Sequence, residues 1–144
     1  MNLMTPETRQ KLKNLLVQHE SYKQFPYVDT TGHLTIGIGR NLKDRGISLN
    51  EALYLLDEDA QYFTSKLSGT LQFWDGLNEA RQIALVDMCF NMGLQGLLGF
   101  KEMMLAIEAQ DFDRAAQEML DSKWATQVGE RATSLARIMK SGEL

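Results

Sequence analysis

The sequence contains one cysteine, two histidines and two prolines in 144 residues, and it has no excess of positive charge. Each shortage excludes something. A lone cysteine cannot close an internal disulfide, and with only His19 and His33 there is no zinc-binding pattern. Cys89 lies in the apolar run Leu85-Val86-Asp87-Met88-Cys89-Phe90, where it reads as a small buried hydrophobe. No apolar stretch approaches the roughly 20 residues that a membrane span needs. The start, Met1-Asn2-Leu3-Met4-Thr5-Pro6, lacks a charged segment followed by an apolar one, so no secretory signal is read there. The net charge of −4 argues against nonspecific nucleic-acid binding, which needs a basic face to neutralise phosphates. Lys123, Arg131, Arg137 and Lys140 still leave room for a local basic patch near the C-terminus.

A single domain of this length buries about 70% of the surface its unfolded chain exposes, enough for a real core. Thr5-Pro6 reads as a helix N-cap followed by proline at the first helical position. Leu12, Leu15, Leu16 and His19 then follow at helical spacing, and the helix is expected to end near Glu20. The period changes next. Phe25 and Tyr27, then Leu34, Ile36 and Ile38, alternate with polar or small residues around the turn signal Thr30-Thr31-Gly32, which predicts a β-hairpin. Gly37 and Gly39 weaken the second strand and suggest a bend or a close approach by another part of the chain. Ser48-Leu49-Asn50-Glu51 is a capping box. The stripe Leu49, Ala52, Leu53, Leu56, Ala60, Phe63, Leu67 predicts a long helix, able to connect two lobes. From Glu79 to Met92 the sequence is apolar nearly all round, as in a helix enclosed by others, and Gly93, Gly96 and Gly99 then break it. Shorter helices are expected around 100–109, 112–121 and 130–140. The class is α+β, mainly α: a small hairpin lobe, about 20–60, and a helical bundle, about 61–144 with the N-terminal helix 5–20. A cleft is expected between the two.

The chemistry is concentrated in Glu20 to Gly39. This segment puts Glu20 at a helix C-terminus, Asp29 at the end of one strand and Thr35 on the next. Glycoside hydrolysis typically uses two carboxyl groups, one protonated and one ionised. The negative end of a helix dipole favours the neutral form of Glu20, and packing against the bundle would act in the same direction. Asp29, in an open turn, is expected to stay solvated and ionised, so the two environments diverge as acid and base roles require. With a three-residue turn at 30–32, Asp29 pairs with His33 and Thr35 shares its face, where a hydroxyl beside a carboxylate can hold a water. A four-residue turn would send Thr35 to the other face. An acid ending a helix and an Asp before a turn are also ordinary structural features. Arg131, if it paired closely with Glu20, would favour that group's charged form.

The pattern Glu-x8-Asp-x5-Thr-Ile-Gly-Ile-Gly resembles the active-site segment of the phage-type lysozymes (the T-even phage lysozyme family, glycoside hydrolase family 24). Ala80 to Gly93 looks like that family's buried central helix. Gly99-Phe100, Asp113 to Ala116, Ser122-Lys123-Trp124 and Glu130-Arg131-Ala132 follow in the family's order. The resemblance covers nearly the whole chain. It implies a peptidoglycan hydrolase with a lysozyme-like fold that cleaves between N-acetylmuramic acid and N-acetylglucosamine with inversion. Glu20 is then the general acid, Asp29 the base and Thr35 the residue positioning water. Phe90, Asn91 and Arg131 match residues near the substrate or the acid. No metal or organic cofactor is implied. The expected partner is bacterial peptidoglycan, the expected state is a monomer, and the expected setting is phage lysis, with the protein cytoplasmic in its host until released.

Departures from the resemblance carry expectations too. The stretch Arg40 to Ile47 is shorter than in that family. Arg40 stands where those enzymes have a histidine paired with an aspartate, so an ion pair with Asp59, the matching acid, is expected. Trp124 and Phe112 read as core residues, His33 as an exposed turn residue, and Asp57-Glu58-Asp59 as a solvated helix face. Two rival readings differ in testable ways. A lytic transglycosylase would need only one acid, and Asp29 with Thr35 argues against it. A degenerate muramidase serving as a wall-binding or scaffolding module would have lost its acid or base, and both are present.

Overall fold

Thr5 and Pro6 open the first helix as their residue types require. The Thr5 hydroxyl accepts from the Thr8 amide, and proline occupies the first turn, where its missing N–H costs nothing. The computed structural model describes residues 4–144. Met1 to Leu3, part of the segment read for a leader, lie outside the described residues. The chain divides into a first unit ending at Leu53 and a second running from Tyr54 to Leu144.

The first unit contains helix α1 (Pro6–Glu20), a three-stranded antiparallel sheet in the order β1 (Lys23–Val28), β2 (Leu34–Gly37), β3 (Arg40–Asn41), and the start of α2 (Leu49–Thr70). The hairpin between β1 and β2 is the one expected. The strand β3 was not anticipated, because two residues are too few to show a period. Pro26 lies inside β1, and the ladder is irregular there. β1 takes four steps between Lys23 and Tyr27 while β2 takes two between Thr35 and Gly37, as befits a strand residue with no amide to donate. The apolar stripe of α1 exists, but none of its residues is buried. Among the described residues, the first unit buries only Thr35.

The second unit holds the rest of α2, then α3 (Glu79–Leu98), α4 (Lys101–Glu108), α5 (Phe112–Leu120), α6 (Lys123–Val128) and α7 (Glu130–Ser141). Side-chain caps set several starts: Asn78 accepts from the Arg81 amide, Asp111 from that of Arg114, and Ser122 from that of Ala125. The six-residue α6 escaped the sequence pattern for the same reason as β3. Of the three glycines expected to break the chain after Met92, Gly93 does so, with φ 79° and ψ 166° before the helix resumes, and Gly99 caps its end after Leu98, while Gly96 stays helical. α7 packs against α3, α5 and α6. The buried apolar core lies in this unit, and its largest fully buried side chains are Leu67, Leu85, Met88, Leu97, Met103, Ile107, Met119, Met139 and Cys89. The methionines and the cysteine are therefore packing material. Trp124 is buried and Phe112 packs on the core, as expected. Among the described residues no single helix is long and apolar enough to cross a membrane.

Leu85 is fully buried in this core. Leu85→Ala is expected to cost about 2–5 kcal/mol, the range for emptying a leucine-sized site that relaxes only partly. Urea unfolding of the two proteins measures it, and a loss below about 1 kcal/mol would show that the site is not tightly packed.

Candidate active site

Glu20 is the last residue of α1. The helix cannot continue because Ser21 turns out of it at φ 55° and ψ 168°, while the Ser21 amide still donates to the Val17 carbonyl at 3.0 Å. That backbone region is nearly reserved for glycine, so a serine there is strained by about 1–3 kcal/mol. The Ser21 hydroxyl donates to the Glu20 carbonyl at 2.6 Å. Within the first unit the Glu20 side chain is not buried. It lies against Gly39, whose φ is 73°. A Cβ there would stand 3.0 Å from both Glu20 Cδ and Oε2. The close approach anticipated at Gly37 and Gly39 is thus realised at Gly39, and its object is the candidate acid.

The hairpin turn has three residues. Val28 pairs with Leu34 and Tyr27 with Thr35, while the Asp29 amide donates to the His33 carbonyl at 2.9 Å. Asp29 is therefore opposite His33, and Thr35 lies diagonally from Asp29 on the same face. Asp29 Oδ1 accepts three hydrogen bonds: from the Thr31 amide at 2.9 Å, the Thr31 hydroxyl at 2.8 Å and the His33 amide at 2.8 Å. The His33 amide, then the Thr31 hydroxyl, hold this carboxyl below the usual carboxylate range. No hydrogen bond among the described residues reaches Oδ2. Thr35 is buried, and its hydroxyl donates to the His33 carbonyl at 2.8 Å, so what remains for another partner is a lone pair.

His33 was read as an exposed turn residue, and the structure corrects this. It is half-buried, with Nδ1 2.7 Å from the Thr31 hydroxyl and 3.7 Å from Asp29 Oδ1, and Nε2 3.4 Å from Asp44 Oδ2. Its position four residues after Asp29 and two before Thr35 was the available signal. The partner Asp44, in a separate turn, was not legible.

Arg40 pairs with Glu51, not with Asp59. Its guanidinium engages both oxygens of Glu51 and donates to the Gly46 carbonyl at 3.1 Å. The reason is the capping box. The Ser48 amide donates to Glu51 at 2.8 Å and the Glu51 amide to the Ser48 hydroxyl at 3.2 Å, which turns the carboxylate back over the helix start. Asp59 is eight residues further along the same helix, about 12 Å on. The bidentate arginine, and secondarily the Ser48 amide, push the Glu51 carboxyl down to about 2.

In the second unit, Phe90 and Arg131 line one groove of about 590 Å³ with Leu56, Ala60, Ile83 and Val86. The Phe90 ring is exposed and meets Phe63 edge-on at 5.6 Å. Asn91 turns its carbonyl oxygen to the Trp124 indole N–H, which donates at 2.8 Å, so its amide NH₂ remains to be offered. The Arg131 Nε donates to Asp87 Oδ1 at 2.8 Å and its Nη2 to the Asp87 carbonyl at 3.1 Å. The acid that holds Arg131 is thus Asp87, a partner the sequence did not single out. Asp57, Glu58 and Asp59 are exposed along α2, a solvated face as expected.

Residues 17–140 match the family model described as phage lysozyme. Probable T4-type lysozyme 1 of Dictyostelium discoideum is 26% identical over 162 aligned positions, covering 92% of this chain and 95% of that protein. Probable T4-type lysozyme 2 of the same organism is 28% identical, with the same coverage. The pre-baseplate central spike protein Gp5 of Enterobacteria phage T4 is 27% identical, and the match takes in 92% of this chain and 28% of that longer protein.

The Arg40–Glu51 pair implies a pH dependence. Glu51 titrates at about 2 in the folded protein against an ordinary value of 4.5. Its stabilising effect is therefore complete above about 4.5 and is lost as pH falls toward 2. Glu51→Gln keeps a capping side chain but removes the charge. Its melting temperature is expected to lie below that of the wild type at pH 7, with the gap closing between pH 4.5 and 2. A gap independent of pH would remove the charge from the explanation.

Proposed function

Because this chain belongs to the phage lysozyme family, we propose that it is a muramidase that hydrolyses bacterial peptidoglycan at the β-1,4 bond between N-acetylmuramic acid and N-acetylglucosamine. One observation carries the assignment of roles. The hairpin register sets Asp29 and Thr35 on one face, with the hydrogen bonds to the Asp29 carboxyl among the described residues gathered on Oδ1. Oδ2 is then the oxygen that takes a proton from water as the water oxygen bonds to the anomeric carbon. Glu20 gives its proton to the glycosidic oxygen as the bond from that oxygen to the anomeric carbon breaks. Water attacks the face opposite the leaving group, so the configuration inverts. Thr35 offers the water a lone pair. Phe90 offers an exposed ring to substrate, Asn91 its amide NH₂, and Arg131 a guanidinium already oriented by Asp87.

The physiological setting belongs to the same proposal. The protein acts as a monomer on the cell wall, binds no nucleic acid, and stays in the host cytoplasm until lysis releases it. The net charge of −4 supports the second of these points.

Glu20→Gln is expected to lower the rate of clearing of permeabilised cells by about 10²–10⁴-fold, the span of a general acid, with the fold intact by circular dichroism. Substantial residual clearing would refute the assignment of the acid. Gly39→Ala adds a methyl carbon 3.0 Å from the Glu20 carboxyl at a backbone angle that disfavours alanine. It is expected to cost roughly 10–100-fold in rate through displacement of that carboxyl. Normal activity would show that the close approach has no bearing on the reaction.

A further inference from the structure

The turn that holds Asp29 contains a second ionisable group with no role assigned above. Thr31 Oγ1 lies between Asp29 Oδ1, at 2.8 Å, and His33 Nδ1, at 2.7 Å. On the far side of the ring, Nε2 is 3.4 Å from Asp44 Oδ2. Asp44 is itself held by Asn41, whose carbonyl oxygen accepts from the Asp44 amide at 2.9 Å and whose NH₂ donates to Asp44 Oδ2 at 3.1 Å. These four side chains form one chain of contacts, Asp44–His33–Thr31–Asp29. The charged groups within 4 Å of the imidazole are Asp29, from the end of β1, and Asp44, from the turn after β3.

We propose that His33 is a positioning residue for Asp29, acting through the Thr31 hydroxyl and anchored by Asp44. The proposal rests on the reading of Asp29 as the base. Its logic is a count of hydrogens. The Thr31 hydroxyl has one, and an ionised carboxylate only accepts. With the ring 2.7 Å away, that hydrogen can point to Asp29 without setting two lone pairs against each other only when His33 Nδ1 carries a hydrogen of its own toward Thr31 Oγ1. With both ring nitrogens protonated, all three contacts are satisfied at once. A neutral ring with its hydrogen on Nε2, toward Asp44, leaves Nδ1 as an acceptor and draws the Thr31 hydrogen away from Asp29. Asp29 Oδ1 then keeps two donors, both backbone amides. A hydrogen on Nδ1, which the doubly protonated ring beside Asp44 always has, thus decides whether Oδ1 is held by two donors or three, and with it the basicity and the orientation of the carboxylate that presents Oδ2.

The test follows the carboxyl of Asp29 by carbon NMR in aspartate-labelled protein, alongside the pH profile of kcat/KM on soluble wall fragments. Thr31→Val removes the hydroxyl at nearly constant volume, Thr31→Ser restores it, and His33→Ala removes the ring. Thr31→Val is expected to move the Asp29 titration upward by removing a donor, and His33→Ala to move it upward by removing the cationic ring beside the carboxylate. The acid limb of the rate profile should move with it, so that the rate at its low-pH end falls roughly three- to tenfold against the variant's own plateau, the order of one lost hydrogen bond of ordinary net strength. Thr31→Ser is expected to keep the wild-type titration and profile. An unmoved Asp29 titration in both Thr31→Val and His33→Ala overturns the proposal. So does a titration that moves while the rate profile does not. Asp29→Ala serves as the separate control. If it retains a near-normal rate, the base assignment fails and the positioning role falls with it, whatever the NMR shows. If it is inactive and the titration is unmoved, the base assignment stands and only the role of His33 is lost.

Discussion

The length of one turn governs the first unit. Side chains along a strand alternate between faces, so a single residue more or less between β1 and β2 reverses every position on one strand relative to the other. Three residues, Thr30 to Gly32, put Asp29 opposite His33 and Thr35 on their face. The side chain that closes this turn is Asp29 itself. Its Oδ1 gathers two amides and a hydroxyl from the residues that follow it. The same contacts that set the register therefore keep the carboxylate ionised and leave its second oxygen unclaimed among the described residues. Turn geometry and acid–base chemistry are one arrangement of hydrogen bonds.

Within the first unit, backbone exceptions position Glu20. Ser21 and Gln110 are the non-glycine residues with positive φ among the described residues, and one of them directly follows the candidate acid. Strain of that kind persists only where neighbouring structure over-determines the conformation. Here the helix ends at the acid, the Ser21 hydroxyl is bonded back onto the Glu20 carbonyl, and the carboxyl meets a glycine that has no side chain to displace it. What holds the acid is the exit of the chain from the helix.

Short-range rules were readable and longer contacts were not. Thr5-Pro6, the Ser48–Glu51 box and the turn after Asp29 could each be read, the last without its length, because their hydrogen bonds join residues no more than four apart. The long helix, the apolar run after Glu79 and the buried cysteine followed from periodicity and composition. The two-residue β3 and the six-residue α6 were too short to show a period, and the slip in β1 around Pro26 gave only the weak signal of a proline in a strand. Arg40 shows how a correct local reading can miss its consequence. The capping role of Glu51 was plain, yet the bidentate arginine it receives spans eleven residues and enters through a turn.

By itself the sequence determined the residue types at the site, the helix end at Glu20 and the presence of a hairpin turn after Asp29, because caps, turns and strand alternation are set by near neighbours; it left the turn at three or four residues. Tertiary structure alone decided that Gly39 lies against the acid, that Asp44 faces His33, that Glu51 holds Arg40 and that Asp87 holds Arg131. Those partners lie 11 to 44 residues apart in the sequence. No local preference encodes such a pairing, since it exists only once folding has brought distant segments within reach of a hydrogen bond.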